Sequence, residues 1–202
     1  MDRRKFILSA AVGTSVCFSP FVLINSVNNN SNPIQPFLLQ GTQPLSHNGG
    51  LAIKVWVRNK ATNGLFSSVE CAVAPKIMGP APHAHKELDE LMYVVEGTAS
   101  VLIGDEVVEI NAGGWHMRPR LIKHTFFNAS SEPLRFIDMY FNQPFEEYLE
   151  AIFHQLTPEN GYDRGSEKKH TEIKRLSEQF GIIRYENADD QKKQIMKEYG
   201  LK

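Results

Sequence analysis

The stretch that decides the fold reads GPAPHAHKELDE over residues 79–90 and continues as LMYVVEG to Gly97. His83 and His85 are two residues apart, so on a β-strand both imidazoles point to the same face. Glu90 follows a short turn and begins the next β-like run, where its carboxylate can return to the same point. Imidazole nitrogens with one carboxylate oxygen form a good donor set for a first-row divalent metal. A His-x-His pair alone also fits ordinary core or surface pairing, so the hypothesis depends on the rest of the chain.

Short β-like runs separated by turn signals extend from residue 51 to about residue 141. The run LAIKVWV, residues 51–57, alternates apolar with other residues, and Asn63-Gly64 is a hairpin-type turn before the next run. After Pro144 the apolar positions recur at helical spacing, and two further amphipathic helices are predicted towards the C-terminus. The pattern predicts a barrel or sandwich of short strands followed by helices.

The segment around the two histidines resembles the first motif of the cupin superfamily. That motif has a glycine, His-x-His, a glutamate after three or four residues and a glycine after six more. Gly79, His83, His85, Glu90 and Gly97 follow this order, although the gap after Gly79 is shorter than usual. The similarity is strongest to single-domain, quercetinase-like cupins of type 2.

A second segment resembles the second cupin motif. Gly113 is followed after five residues by Pro119, and His124 and Asn128 then stand at the expected positions. Leu121 replaces the second glycine of the motif, but the ligand spacing is intact. Two independent motifs in the right order are much stronger evidence than either one alone.

The resemblance implies an all-β fold: a single cupin β-barrel (double-stranded β-helix, or jelly roll) with a C-terminal α-helical extension. The predicted organisation is an export signal over residues 1–26, a flexible linker over 27–39, the barrel over 40–142 and the helical extension over 143–202.

The resemblance also implies one divalent metal ion held by His83, His85, Glu90 and His124. Fe(II) or Mn(II) is favoured, while Ni, Cu, Zn and Co are compatible with the same donors. Glu90 is also the candidate catalytic base. His116 lies between the motif positions, and a packing or surface role is predicted for it.

Residues in phase with the ligands are predicted to line a pocket for a small-molecule substrate. Met92 and Val94 follow Glu90 at period two, Phe126 follows His124, and Asn128 and Tyr140 extend the same faces. An apolar, aromatic lining suits a small organic substrate, although the same stripe also fits plain barrel core.

Composition narrows the class of protein. The 202 residues are enough for one domain with an extension, and the net charge of −1 without a basic run argues against nucleic acid as a partner. Two cysteines give no disulfide framework. The sequence is also compatible with a homodimer.

The N-terminal residues resemble a targeting signal. Residues 3–7, RRKFI, precede a mildly apolar stretch and resemble a twin-arginine export signal. The prediction is an exported, periplasmic protein that engages the export machinery through this signal. An N-terminal membrane anchor and a Sec signal remain alternatives.

The motifs favour a metal-dependent oxidoreductase of dioxygenase type that acts on a small organic substrate. Two other classes stay open: a non-catalytic binding protein for a metal or small molecule, and a metal-dependent isomerase or lyase. Fold and ligands alone do not choose between them.

Overall fold

A computed structural model describes residues 33–202. The export segment predicted over residues 1–26, and the first part of the predicted linker, lie outside the described residues. Residues 33–50 contain neither helix nor strand. The strands of the described chain are β1 (Leu51–Val57), β2 (Phe66–Val73), β3 (His83–His85), β4 (Asp89–Glu96), β5 (Thr98–Ile103), β6 (Glu106–Asn111), β7 (Trp115–Arg118), β8 (His124–Phe127), β9 (Leu134–Phe141) and β10 (Ile182–Arg184).

These strands form two sheets that share one buried core. Their orders are β1-β2-β9-β4-β7 and β10-β3-β8-β5-β6, and neighbouring strands are antiparallel. The non-consecutive neighbours are typical of a jelly roll. The predicted all-β barrel with a helical C-terminal extension is therefore confirmed.

Period-two alternation along the strands creates the core. Met92 and Val94 on β4 and Leu134 and Phe136 on β9 have no exposed surface, while the residues between them are partly exposed. Burying each of these side chains contributes about 1.5–3 kcal/mol. The alternation thus fixes which side chains face the inside of the barrel, including those of the site described below.

Two motif glycines are required by close backbone approaches. A Cβ on Gly79 would lie 2.2 Å from the Phe126 carbonyl oxygen. Gly97 has a φ of +77°, and a Cβ there would lie 2.3 Å from the Pro133 carbonyl oxygen. A side chain at either position would push the facing backbone segments apart.

The helical extension packs on the barrel and adds a strand to it. Its helices are α1 (Phe145–Glu150), which continues as a π-helical turn over Ala151–Gln155, α2 (Glu167–Gln179) and α3 (Ala188–Tyr199). Strand β10, between α2 and α3, pairs with β3 and was not predicted, because three residues are too few to show a period. None of the helices in residues 33–202 is long and apolar enough to cross a membrane.

Candidate metal centre and cavity

Three histidines converge at one point of the barrel. His83 and His85 share a face of β3, and His124 on the adjacent strand β8 lies directly opposite His83. One potential ligand nitrogen of each lies within 4.8 Å of the other two. His85 and His124 are buried, whereas His83 is partly exposed and lines a cavity.

Backbone carbonyls orient two of these imidazoles. Nδ1 of His83 lies 2.9 Å from the Ala81 oxygen, and Nδ1 of His124 lies 2.9 Å from the Ile122 oxygen. A carbonyl only accepts hydrogen bonds, so each Nδ1 carries the proton and each Nε2 keeps a free lone pair. This arrangement is typical of metal-binding histidines.

The buried histidine nitrogens that have no hydrogen-bond partner are suited to bind a metal ion. Nε2 of His124 and both ring nitrogens of His85 are buried without a hydrogen-bond partner. Leaving a buried polar atom unsatisfied costs about 1–3 kcal/mol. A divalent cation shared by the three imidazoles would satisfy these atoms, so the donor set fits the predicted metal.

Glu90, at the start of β4, brings the predicted carboxylate to the same place. Its Oε1 lies 3.3 Å from Nε2 of His85, and its Oε2 lies 3.3 Å from Nε2 of His124. At these distances His85 and His124 contact the carboxylate without the geometry of a good hydrogen bond, which agrees with their unsatisfied nitrogens. The structure thus brings the four predicted ligands together.

A buried arginine that the sequence analysis missed also holds this carboxylate. Arg118 on β7 is opposite Glu90 on β4 and is only 1% exposed. Its Nε lies 3.2 Å from Oε2 of Glu90, and its Nη2 donates to Oδ1 of Asp138 on β9. The Tyr140 hydroxyl donates to the other oxygen of Asp138 at 3.3 Å. The guanidinium therefore bridges two carboxylates beneath the histidines.

The electrostatics give the groups distinct protonation states. Burial and the neighbouring His124 and His85 lower the pKa of His83 to about 3, so its imidazole is neutral, as a ligand must be. Burial alone would raise the pKa of Glu90, but Arg118 and His124 outweigh it and hold that pKa well below its usual range. For Asp138 burial outweighs the attraction of Arg118, and its pKa is raised. Burial likewise raises the pKa of Tyr140 well above its ordinary value.

The site opens into a cavity of about 370 Å³ between the barrel and the helical extension. Phe145 at the start of α1 is 4% exposed, and its ring centroid lies 5.0 Å from that of His85. Ile152 and Phe153 reach the cavity from the π-helical turn, a form of helix often found at functional sites. The extension therefore builds one wall of the cavity, which the sequence could not show.

The predicted pocket residues divide into two groups. Phe126 and Tyr140 line the cavity. Met92 and Val94 do not, because they pack within the hydrophobic core and have no exposed surface.

Asn128 also lies away from the cavity, because β8 ends at Phe127 and the period-two alternation stops there. It is fully buried, and its Nδ2 lies within hydrogen-bond reach of the carbonyls of Val73, Ala74 and Glu132. Its role in this structure is to hold loops together.

His116 lies outside the histidine cluster. It stands on β7 opposite Met92 and is partly buried. Burial, Arg118 and His124 lower its pKa. Its position makes it a matched control for the three clustered histidines.

The family model described as "Cupin domain" matches residues 69–140. This region contains both motifs and all four predicted ligands. Together with the jelly-roll barrel, the match supports the cupin superfamily, as the motif resemblance implied. No curated protein matches the sequence.

Solved structures similar to this chain include several bacterial proteins. KdgF from Halomonas sp. is 19% identical, with 54% of this chain and 90% of that chain covered and a TM-score of 0.43. The plu4264 protein from Photorhabdus luminescens is 22% identical, with 57% and 99% covered and a TM-score of 0.44. A sugar phosphate isomerase of the cupin superfamily from Silicibacter pomeroyi is 21% identical, with 48% and 62% covered and a TM-score of 0.40. Similarity this low assigns no activity to the present chain.

Proposed function

We propose that this protein is a metal-dependent cupin oxidoreductase of the dioxygenase type that acts on a small, largely apolar organic substrate. One observation carries the proposal: three imidazoles, two of them oriented by backbone carbonyls, and a carboxylate converge beside a cavity with an aromatic and aliphatic wall. Such a cavity can hold a planar organic molecule against the centre.

His83, His85, His124 and Glu90 are the residues that would hold the ion, with Fe(II) or Mn(II) favoured. When bound, a metal with this donor set would supply the Lewis-acid and redox chemistry for a reaction of the substrate with dioxygen. The protein fixes the tautomers of two ligands through Ala81 and Ile122.

The roles of the acidic groups follow from their surroundings. Glu90 was predicted as both ligand and base, but a carboxylate whose pKa is held well below normal accepts a proton poorly at neutral pH. We therefore assign it the ligand role. Asp138 has a raised pKa and lines the cavity, so it is the better acceptor for a substrate proton, and Tyr140 orients it by a hydrogen bond.

The experiment begins with elemental analysis of protein purified without added metal. We expect about one transition metal per chain in the wild type and a loss of most of it in His124→Ala, because removing one donor misorients the others. His116→Ala is the matched control and should keep its metal. Loss in His116→Ala with retention in His124→Ala would contradict the ligand assignment.

An oxygen-uptake screen with flavonols and catechols then tests the reaction. Uptake that depends on both substrate and metal supports the proposal. Turnover without oxygen consumption would instead point to an isomerase or lyase, and tight binding without turnover to a binding protein.

We further propose that the chain is exported to the periplasm as a folded protein. The support is the RRKFI run at residues 3–7, which resembles a twin-arginine signal. Folding before export would let the site take its metal in the cytoplasm. This matters because affinity alone favours Cu(II) and Zn(II) over Mn(II) and Fe(II).

A further inference from the structure

We infer that Arg184 on β10 determines substrate specificity: it binds the single negative charge of a small aromatic or aliphatic monocarboxylate whose apolar body occupies the cavity. The inference rests on the proposed function in one respect only, namely that this cavity is the substrate site.

The first support is position. β10 runs antiparallel to β3, and Arg184 lies directly opposite His83. Paired residues on neighbouring antiparallel strands have Cα atoms roughly 4.5–5.5 Å apart. Both residues line the cavity. An anion held by Arg184 therefore lies in the same cavity as His83, beside the histidine cluster.

The second support is an uncompensated charge. Within residues 33–202 five arginines form ion pairs with carboxylates: Arg58, Arg118, Arg120, Arg135 and Arg175. Arg184 forms none and is exposed. Arg118, the other arginine of the cavity, is already occupied by Glu90 and Asp138. The guanidinium of Arg184 is thus the one available to a ligand, and its planar fork suits a carboxylate.

The third support limits the charge of the ligand. Asp189, in the first turn of α3, also lines the cavity and lies more than 4.0 Å from any basic nitrogen of Arg184. A second negative charge on the ligand would meet this carboxylate and be repelled. The apolar remainder of a monoanion instead meets Phe126, Tyr148 and Phe153.

The test is calorimetric titration of the full chain, loaded with Mn(II) under argon, with 3-phenylpropionate and with its uncharged isostere 3-phenylpropionamide. We expect the acid to bind the wild type about tenfold or more tightly than the amide, as one charge-assisted hydrogen-bonded pair allows. Arg184→Gln should abolish that preference and leave the affinity for the amide unchanged, while Arg184→Lys should keep part of it. Arg164→Gln is the matched control, since Arg164 also lacks an ion pair but does not line the cavity.

Repeating the titration with metal-free protein separates this inference from the proposed function. A preference that persists without metal supports Arg184 even if no oxygenase activity is found. A preference that disappears on metal removal means that the carboxylate binds the metal and overturns the inference. Equal affinity of acid and amide, binding of neither, or an unchanged preference in Arg184→Gln would overturn it as well. Asp189→Asn should narrow the gap between the acid and a dicarboxylate of similar shape, and an unchanged gap would remove Asp189 from the assignment.

Discussion

Replacing Arg118 with Met tests how the buried charges next to the candidate metal centre are balanced. Arg118 is 1% exposed, and its guanidinium is the cation between Glu90 and Asp138, which are themselves 4% and 2% exposed. Met has a similar length and an apolar body, so the change removes the charge and leaves little space. Breaking a buried ion pair by removing one partner costs about 3–5 kcal/mol, because a carboxylate remains buried without compensation. We expect a loss of this size in the free energy of unfolding of metal-free protein at neutral pH.

The pH dependence gives the sharper signature. In the wild type the pKa of Glu90 is lowered, so its contribution to stability is present above the unfolded value of about 4.3 and is lost as pH falls through the lower folded value. Without Arg118, the largest influence that opposes burial is lost, so the pKa of both carboxyls rises. The variant then gains protons on folding, and its penalty shrinks as pH falls through the raised pKa values. The difference between wild type and variant should therefore be largest near pH 7.5 and smaller at pH 5.

Urea unfolding followed by circular dichroism at the two pH values measures this difference. Arg175→Met is the matched control, because Arg175 forms an exposed pair with Glu172 and its loss should cost at most about 1 kcal/mol. Adding Glu90→Gln and Asp138→Asn to Arg118→Met should recover much of the stability, since no buried charge is then left unpaired. A loss below about 1 kcal/mol at pH 7.5, or one that stays constant with pH, would refute the reasoning.

Three further changes test other parts of the structure. Leu121 has a φ of 65° and is 62% exposed. Leu121→Gly should therefore stabilise the protein by about 1 kcal/mol, because glycine adopts the left-handed backbone without strain. A lower thermal midpoint in this variant would contradict the prediction. Phe145→Ala should cost about 3–5 kcal/mol in the free energy of unfolding, because the ring is only 4% exposed. Leu65→Ala, at a 62% exposed position, is the control and should leave the free energy of unfolding close to that of the wild type. Equal effects of the two changes would mean that the helical extension contributes little to stability. Arg3→Lys combined with Arg4→Lys should leave folded, metal-loaded protein in the cytoplasm. Cell fractionation and elemental analysis measure this, and normal export of the variant would rule out the twin-arginine signal.

The sequence by itself determined the barrel and the place where its histidines meet. Both depend on short-range rules: period two aligns His83 with His85, and the spacing to Glu90 and His124 follows motifs that are each complete within about twenty residues. Leu121 shows how local these rules are, because its left-handed backbone persists at the glycine position of the motif even with a different side chain.

Only the tertiary structure decided what surrounds the histidines. Alternation marks Met92, Phe126 and Tyr140 alike as inward-facing, but Met92 is fully buried in the core and only Phe126 and Tyr140 line the cavity. Arg118 meets its carboxylate partners, and Arg184 meets His83, through strand pairings between residues about twenty to a hundred positions apart. A period specifies the face on which a side chain lies, whereas its partner depends on how distant segments pack, and a single sequence does not encode that in any local pattern.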